Sequence, residues 1–149
     1  MAPIPIIICG KTTGVAKAVC EAMKPDYDVI HVMLSVEEAK SNIPLVLSGA
    51  APPLSNTSNP GSQHYGERPA AIVFGGGFDD ATIAGIQDAC GAQGEKVPWF
   101  QTDTTRQAEM PDLSDIEGYG KATAARLKKR LEELKVGREG AVEQGMYLF

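Results

Sequence analysis

The chain is poor in cysteine, with only Cys9, Cys20 and Cys90, and no two of them lie close together. An odd and widely spaced set lacks the pairs that a disulfide framework or a zinc site needs. We therefore expect reduced thiols, no metal site and a cytoplasmic protein. The N-terminus has no basic region before its apolar run, so the sequence predicts no secretory leader.

Long hydrophobic runs and an excess of positive charge are also missing. No apolar stretch approaches the roughly 20 residues that cross a bilayer, so we expect no membrane association. The chain carries 14 Lys and Arg against 19 Asp and Glu, a net charge of -5 over 149 residues. Nucleic-acid binding depends on positive charge, so no nucleic-acid partner is predicted. This balance still permits a local pocket for one small anion.

Short apolar runs alternate with segments of helical periodicity. Strands are predicted at residues 4–9, 27–34, 70–74 and 97–101, each followed by a helix. This alternation indicates one α/β domain over residues 1–149. Because crossovers are right-handed, we expect three α/β/α layers around a mostly parallel sheet of about four strands, in the order 2-1-3-4. Pro98 predicts an edge position for the fourth strand, and Pro44 is expected to break or restart the second helix.

Two segments stand outside the alternation. Residues 52–69 contain four prolines and no apolar period, which predicts a long flexible loop. Residues 138–149 form a C-terminal tail that ends in the apolar sequence MYLF. Since burial of these side chains is favourable, we expect the tail to dock. It docks either on its own domain or on a second subunit of a homodimer. The candidate places are the edge of the fourth strand, where it would add a short strand, and the last helix.

Glycine-rich loops follow the first and the third predicted strands. They read Gly10-Lys11-Thr12-Thr13-Gly14 and Gly75-Gly76-Gly77. The strand order brings both loops to the switch point between strands 1 and 3, where open α/β sheets bind ligands. Glycines permit positive φ and a close ligand approach, and the first turn of a helix attracts phosphate. We therefore predict a site for a nucleotide or another small phosphorylated molecule, the alternative being that the glycines only make tight turns.

Two further candidate binding residues lie at the same end of the sheet. Ser35 follows the second strand, where it is also the expected N-cap of a helix. Asp103 follows the fourth strand, where it is placed for a ribose or substrate contact. Cys9 and His31 lie near the ends of neighbouring strands, and we interpret them as buried structural residues in preference to a nucleophilic pair. No catalytic residue is assigned.

The first glycine-rich loop resembles the TGxxxGxG motif of short-chain dehydrogenases, through the sequence from Cys9 to Ala16. That resemblance implies a Rossmann-like fold that binds NAD or NADP, with Gly10 and Gly14 at the pyrophosphate. The sequence departs from the family in several places, since Cys9 stands where the motif has threonine and Ala16 where it has its last glycine. No Asp or Glu ends the second strand, where the family holds the ribose, and the YxxxK pair of the family is absent.

The same loop is also similar to the phosphate loop of flavodoxins, through Thr12, Thr13 and Gly14. This second resemblance implies FMN and an electron carrier, although Phe78 is the one aromatic residue in the third-strand loop. A general likeness to small fungal Rossmann-like proteins implies the fold and no particular activity. Three functions stay open: a nucleotide-binding protein with oxidoreductase-like activity if it is an enzyme, a non-catalytic homodimeric interaction protein, and an FMN carrier.

Overall fold

The computed structural model describes residues 3–52, 59–75, 77–103, 105, 111–112, 114–137 and 145–149, with the backbone alone at 93, 95 and 96. The strands are β1 (Ile4–Cys9), β2 (Tyr27–Met33), β3 (Ile72–Phe74), β4 (Pro98–Gln101) and β5 (Gly145–Leu148). The helices are α1 (Thr13–Met23), α2 (Val36–Leu47), α3 (Asp80–Cys90) and α4 (Ile116–Glu133), and a 3-10 helix covers Gly91–Lys96. No helix in these ranges is long and apolar enough to span a membrane.

The sheet is parallel throughout, in the order β2-β1-β3-β4-β5. The predicted α/β class and the order 2-1-3-4 are confirmed, and the fold is Rossmann-like or flavodoxin-like. The sheet has five strands, one more than the predicted number of about four. The fifth strand is the apolar end of the tail, where Met146 pairs with Trp99 and Leu148 with Gln101. The prediction that the tail docks is therefore confirmed for residues 145–149, and the edge of the fourth strand was one of the two candidate places.

Two expectations drawn from proline are wrong. Pro98 does not mark an edge, because β4 lies between β3 and β5. Pro98 is the first residue of its strand, a position where a missing N–H is tolerated. Pro44 lies inside α2, which continues to Leu47. Burial of Ile43, Val46 and Leu47 accounts for the continuation, since tertiary packing outweighs one lost helical hydrogen bond.

Two apolar layers cover the two faces of the sheet. Alternate residues of β1 point to opposite faces, so that Ile6 and Ile8 belong to one layer while Ile7 and Cys9 belong to the other. The first layer is completed by α1 and α4, and the second by α2 and α3. The absence of polar alternation in β1 follows from this burial on both faces.

The connection from β4 through α4 to β5 has the opposite hand to the other connections. The chain moves in one direction across the sheet from β2 to β3, β4 and β5. The helices α2 and α3, which connect β2 to β3 and β3 to β4, lie on one face of the sheet. The helix α4, which connects β4 to β5, lies on the other face beside α1. About 98% of such crossovers are right-handed, so the last one is the left-handed exception. This exception places α4 directly against α1.

The contact between α1 and α4 is close because Gly120 lacks a side chain. A Cβ atom at Gly120 would lie 2.4 Å from the Cβ of Ala18 and 3.2 Å from the carbonyl oxygen of Val15. Lys128 fastens the other end of the pair, since its Nζ donates to the carbonyl of Ala22 at 3.3 Å and lies 3.4 Å from Asp26 Oδ2. The two helices are thus held together along their length.

The segment that follows residue 58 lies along the outer edge of β2. Ser62 and Gln63 donate their N–H groups to the carbonyls of Val29 and Ile30 at 2.9 Å. Asn59 is buried and bonds both the N–H and the carbonyl of Val32. This edge of the sheet is therefore covered. Residues 53–58 of the predicted flexible loop lie outside the described ranges, and the mobility of 52–69 stays a prediction.

We expect Gly120→Leu to lower the free energy of unfolding by about 1–3 kcal/mol, because the added side chain must push α4 away from α1. Urea denaturation measures this change. The matched control is Ala125→Leu, at an exposed position of the same helix, which should leave stability within about 0.5 kcal/mol. Equal unfolding midpoints for the two variants would contradict the close contact.

Candidate functional site

A cavity of about 390 Å³ opens at the carboxyl ends of β1, β3 and β4, between α1 and α4. It lies at the switch point between β1 and β3, where the sequence placed the binding site. Its interior is apolar, formed by side chains from the strands and both helices: Ile8, Val15, Ala16, Val19, Val73 and Leu127. Its volume falls within the range of about 300–1,000 Å³ that is typical of ligand sites.

The residues predicted from the two glycine-rich loops divide into those at the cavity and those beside it. Gly10, Lys11 and Thr12 line the cavity, and so do Gly75 and Gly77. Four others are not among its lining residues: Thr13, Gly14, Ser35 and Asp103. Gly76 lies outside the described residues.

The N-terminus of α1 differs from those of the other three described α-helices. Thr12 is its N-cap residue, in an extended conformation, and its side chain makes no capping hydrogen bond. The other helices are capped by side chains of Ser35, Asp79 and Asp115. The first turn of α1 also contains no acidic residue. Its N–H groups therefore carry an uncompensated partial positive charge beside the mouth of the cavity.

The described glycines of the two loops do not adopt positive φ. Gly10, Gly14, Gly75 and Gly77 all lack it, so for these four residues that part of our expectation is wrong, while Gly76 lies outside the described residues. Gly10 lines the cavity, and a Cβ atom there would meet no atom within 4 Å. A Cβ atom at Gly14 would instead lie 3.1 Å from Ile116 Cγ2, so Gly14 serves the contact between α1 and α4.

Lys11 connects the two loops at the mouth of the cavity. A Cβ atom at Gly77 would lie 3.2 Å from Cδ of Lys11, so the aliphatic part of Lys11 passes close to this glycine. The Nζ of Lys11 lies 5.2 Å from the ring centroid of Phe78. The side-chain hydrogen bond from Thr82 is the main cause of a lowered pKa at Asp79, to which Lys11 makes a smaller contribution. Lys11 therefore brings positive charge to the side of the mouth formed by the β3 loop.

Ser35 and Asp103 have local partners. The Oγ atom of Ser35 accepts the N–H of Glu38 at 3.1 Å, and Glu38 in turn accepts the N–H of Leu34 at 2.8 Å. The carboxylate of Asp103 accepts hydrogen bonds from the N–H and the hydroxyl of Thr105. The predicted cap at Ser35 is confirmed, while the ligand contacts predicted for Ser35 and Asp103 stay predictions.

Sequence reasoning missed one wall of the cavity. That wall consists of Tyr119 and Thr123 on α4, Thr102 after β4, and Phe149 after β5. Their places depend on the reversed crossover and on the fifth strand. One signal was available, since Tyr119, Thr123 and Leu127 recur every four residues on one face of the helix.

Two arginines of α4 hold the fifth strand beside the cavity. Arg126 Nη2 donates to the carbonyl of Phe149 at 2.7 Å, and Arg130 Nε donates to the carbonyl of Leu148 at 3.0 Å. The backbone N–H of Asp103 also donates to Phe149, at 2.7 Å. These bonds fix Phe149 as part of the cavity wall.

Cys9 and His31 do not form a nucleophilic pair. Burial, and then the nearby Cys90, raises the pKa of the Cys9 thiol well above its ordinary value, which keeps it neutral. The ring nitrogens of His31 face other groups: Tyr65 OH lies 2.5 Å from Nδ1, and Asn59 Nδ2 lies 3.4 Å from Nε2. No group of three metal-ligating side chains is assembled within the described residues.

The fold and the cavity define a parallel α/β domain with a cavity of ligand size at its switch point. No protein-family model matches the chain, and no solved structure matches it. Over 145 residues it is 34% identical to Kojic acid related protein 6 of Aspergillus oryzae (strain ATCC 42149 / RIB 40), covering 96% of this chain and 84% of that protein. The chain belongs to the same family as Kojic acid related protein 6, which agrees with the likeness to fungal proteins.

We expect all three thiols to be unreactive in the folded protein. Cys9, Cys20 and Cys90 are 0%, 6% and 5% exposed, and burial raises the pKa of Cys20 and of Cys90 to about 11. The thiolate is the reactive form. Titration with Ellman's reagent at pH 8 should therefore detect no fast thiol in the native state and all three in denaturant. One fast-reacting native thiol would contradict this arrangement.

Acid should weaken the protein through His31. Burial lowers the pKa of His31, against a smaller opposing effect of Glu38, so the folded state binds fewer protons than the unfolded state. The contribution of neutral His31 is fully present above the ordinary histidine pKa of about 6.5 and is lost as the pH falls below it. The stability difference between wild type and His31→Gln should shrink from pH 7 to pH 5. The control is His64→Gln, at an exposed position. If the stability difference from wild type changes with pH equally for the two variants, the role of His31 is refuted.

Proposed function

We propose that this protein binds a phosphorylated small molecule of about mononucleotide size in the switch-point cavity. The phosphate would lie at the start of α1, and the rest of the molecule would extend between α1 and α4. The observation that carries this proposal is the juxtaposition of an uncapped helix N-terminus with the mouth of an apolar cavity of about 390 Å³.

The charge distribution around the cavity supports an anionic ligand. Lys11 is the one charged residue among the described residues that line it. The Thr12 hydroxyl is not used to cap α1, which leaves it able to bond a phosphate oxygen. Because the whole chain carries a net charge of -5, this local positive region is distinct from the general character of the molecule.

NAD, NADP and FMN are supported only in part. The start of α1 suits a phosphate of any of them. At the end of β2, however, the Ser35 side chain already caps α2. No Asp or Glu stands there to bind the ribose of a dinucleotide, as the dehydrogenase resemblance would imply. Phe78 is 3% exposed and packs on Phe74, with ring centroids 5.4 Å apart, which does not suit it to stack on a flavin. As candidate ligands, NAD and NADP therefore fit the residues around the cavity better than FMN does, and a mononucleotide fits them better than any of the three.

The name of the relative supplies one more candidate ligand. Kojic acid related protein 6 is named for a relation to kojic acid. For the present chain that name suggests a ligand to test. We include kojic acid as an unphosphorylated probe. Binding of kojic acid in preference to every phosphorylated probe would replace the proposed ligand class.

Isothermal titration calorimetry with AMP, NAD, NADP, FMN, coenzyme A and kojic acid tests the proposal. Gly10→Val should weaken binding strongly without unfolding the protein, since Gly10 lines the cavity and a Cβ atom there would meet no atom within 4 Å. Lys11→Gln should weaken the phosphorylated probes about tenfold, through the loss of one charge-assisted contact.

Matched variants separate binding from stability. Lys17→Gln removes an exposed charge from α1 away from the cavity, and Gly85→Ala fills a glycine position on α3. Both should bind as the wild type does. If the wild type binds none of the phosphorylated probes, or if Gly10→Val binds normally, the proposal is wrong.

A homodimeric interaction protein is the second candidate function. Met146 and Leu148 are 40% and 50% exposed on β5, the last strand of the described sheet, and exposed apolar side chains at a strand edge favour association. The sedimentation mass of the calorimetry sample tests this candidate directly. A monomer at all concentrations would remove it.

A further inference from the structure

Two threonine hydroxyls line the wall that sequence reasoning missed. Thr102 follows β4 and Thr123 lies on α4, one turn below Tyr119 and one turn above Leu127. Each hydroxyl donates its proton to a backbone carbonyl of the chain. Thr102 Oγ1 donates to Phe74 at 3.0 Å, and Thr123 Oγ1 donates to Tyr119 at 2.9 Å.

A hydroxyl group has one proton to donate and two lone pairs to accept with. Because both protons are already directed at backbone carbonyls, these two threonines can offer only acceptor lone pairs to a ligand. The lining also contains the Tyr119 phenol and the Cys9 thiol, and its one ammonium group, at Lys11, lies beside the start of α1. The wall formed by α4 and the end of β4 therefore offers two hydroxyl acceptors, while donors lie at the start of α1.

We propose that the ligand carries a hydrogen-bond donor, a hydroxyl or an amino group, on the part that faces α4 and the end of β4. This inference rests on the proposed function and specifies its ligand class. Thr102 and Thr123 accept the hydrogen bond from that donor. A ligand with a carbonyl or a ring nitrogen in the same place would set acceptor against acceptor and lose the hydrogen bonds it had made to water.

Two pairs of probes differ in that donor alone. AMP has an exocyclic amino group that purine riboside 5′-monophosphate lacks, and 4-(hydroxymethyl)phenyl phosphate has a hydroxyl that 4-methylphenyl phosphate lacks. Calorimetry should give at least one pair in which the donor-bearing probe binds about tenfold more tightly, the effect of one well-placed hydrogen bond.

Threonine variants assign the difference to the two side chains. Thr102→Val and Thr123→Val keep the side-chain shape and remove the lone pairs. Both variants should fold, because Phe74 still accepts the N–H of Thr102 and the Tyr119 carbonyl keeps its place in the α4 backbone. In each variant the tenfold preference should fall by at least threefold, and in Thr123→Ser, which retains the hydroxyl, it should persist.

The outcomes separate the two proposals. If no phosphorylated probe binds, the proposed function is wrong and this inference falls with it. If the probes bind but the members of each pair bind equally, the phosphate site stands and the donor inference is overturned. A preference that survives both valine substitutions also overturns it.

Discussion

The close contact of α4 with α1 is the constraint on which the rest of the structure depends. Gly120 permits it, since a side chain there would overlap Ala18. With α4 on this face of the sheet, its residues form one wall of the cavity, and Arg126 and Arg130 reach the carbonyls of Phe149 and Leu148. The fifth strand, the cavity wall and the last crossover are thus consequences of one helix pair.

Much of this fold could be predicted from periodicity and composition. The pure apolar run of β1 indicates a strand buried on both faces, and Ser35 followed by Glu38 indicates the start of α2. The side of the sheet on which α4 lies could not be predicted, because the general rule of handedness favours the opposite face. Pro98 was misleading for a related reason, since a residue that starts a strand tolerates an interior position.

The candidate site likewise has one part that local sequence predicts and another that depends on the tertiary fold. Local sequence predicts its mouth, since Gly10, Lys11 and Thr12 follow a buried strand and precede a helix. Its interior depends on residues far apart in the chain, such as Thr123 and Phe149, which only the tertiary fold brings together. The hydroxyls of Thr102 and Thr123 donate to backbone carbonyls, and no sequence motif encodes the direction of these hydrogen bonds. The position of the cavity could therefore be predicted from the sequence, whereas the side chains of its inner wall could not.

The central claim is that a ligand occupies the space between the start of α1 and the inner face of α4. Backbone amide chemical shifts of isotope-labelled protein, followed by NMR during titration with AMP, test it most directly. We predict saturable changes at Gly10, Thr12, Thr102, Thr123 and Phe149, with little change at Ser35. Changes confined to the end of β2 or to the outer edge of β5, or no saturable change at all, would contradict the account.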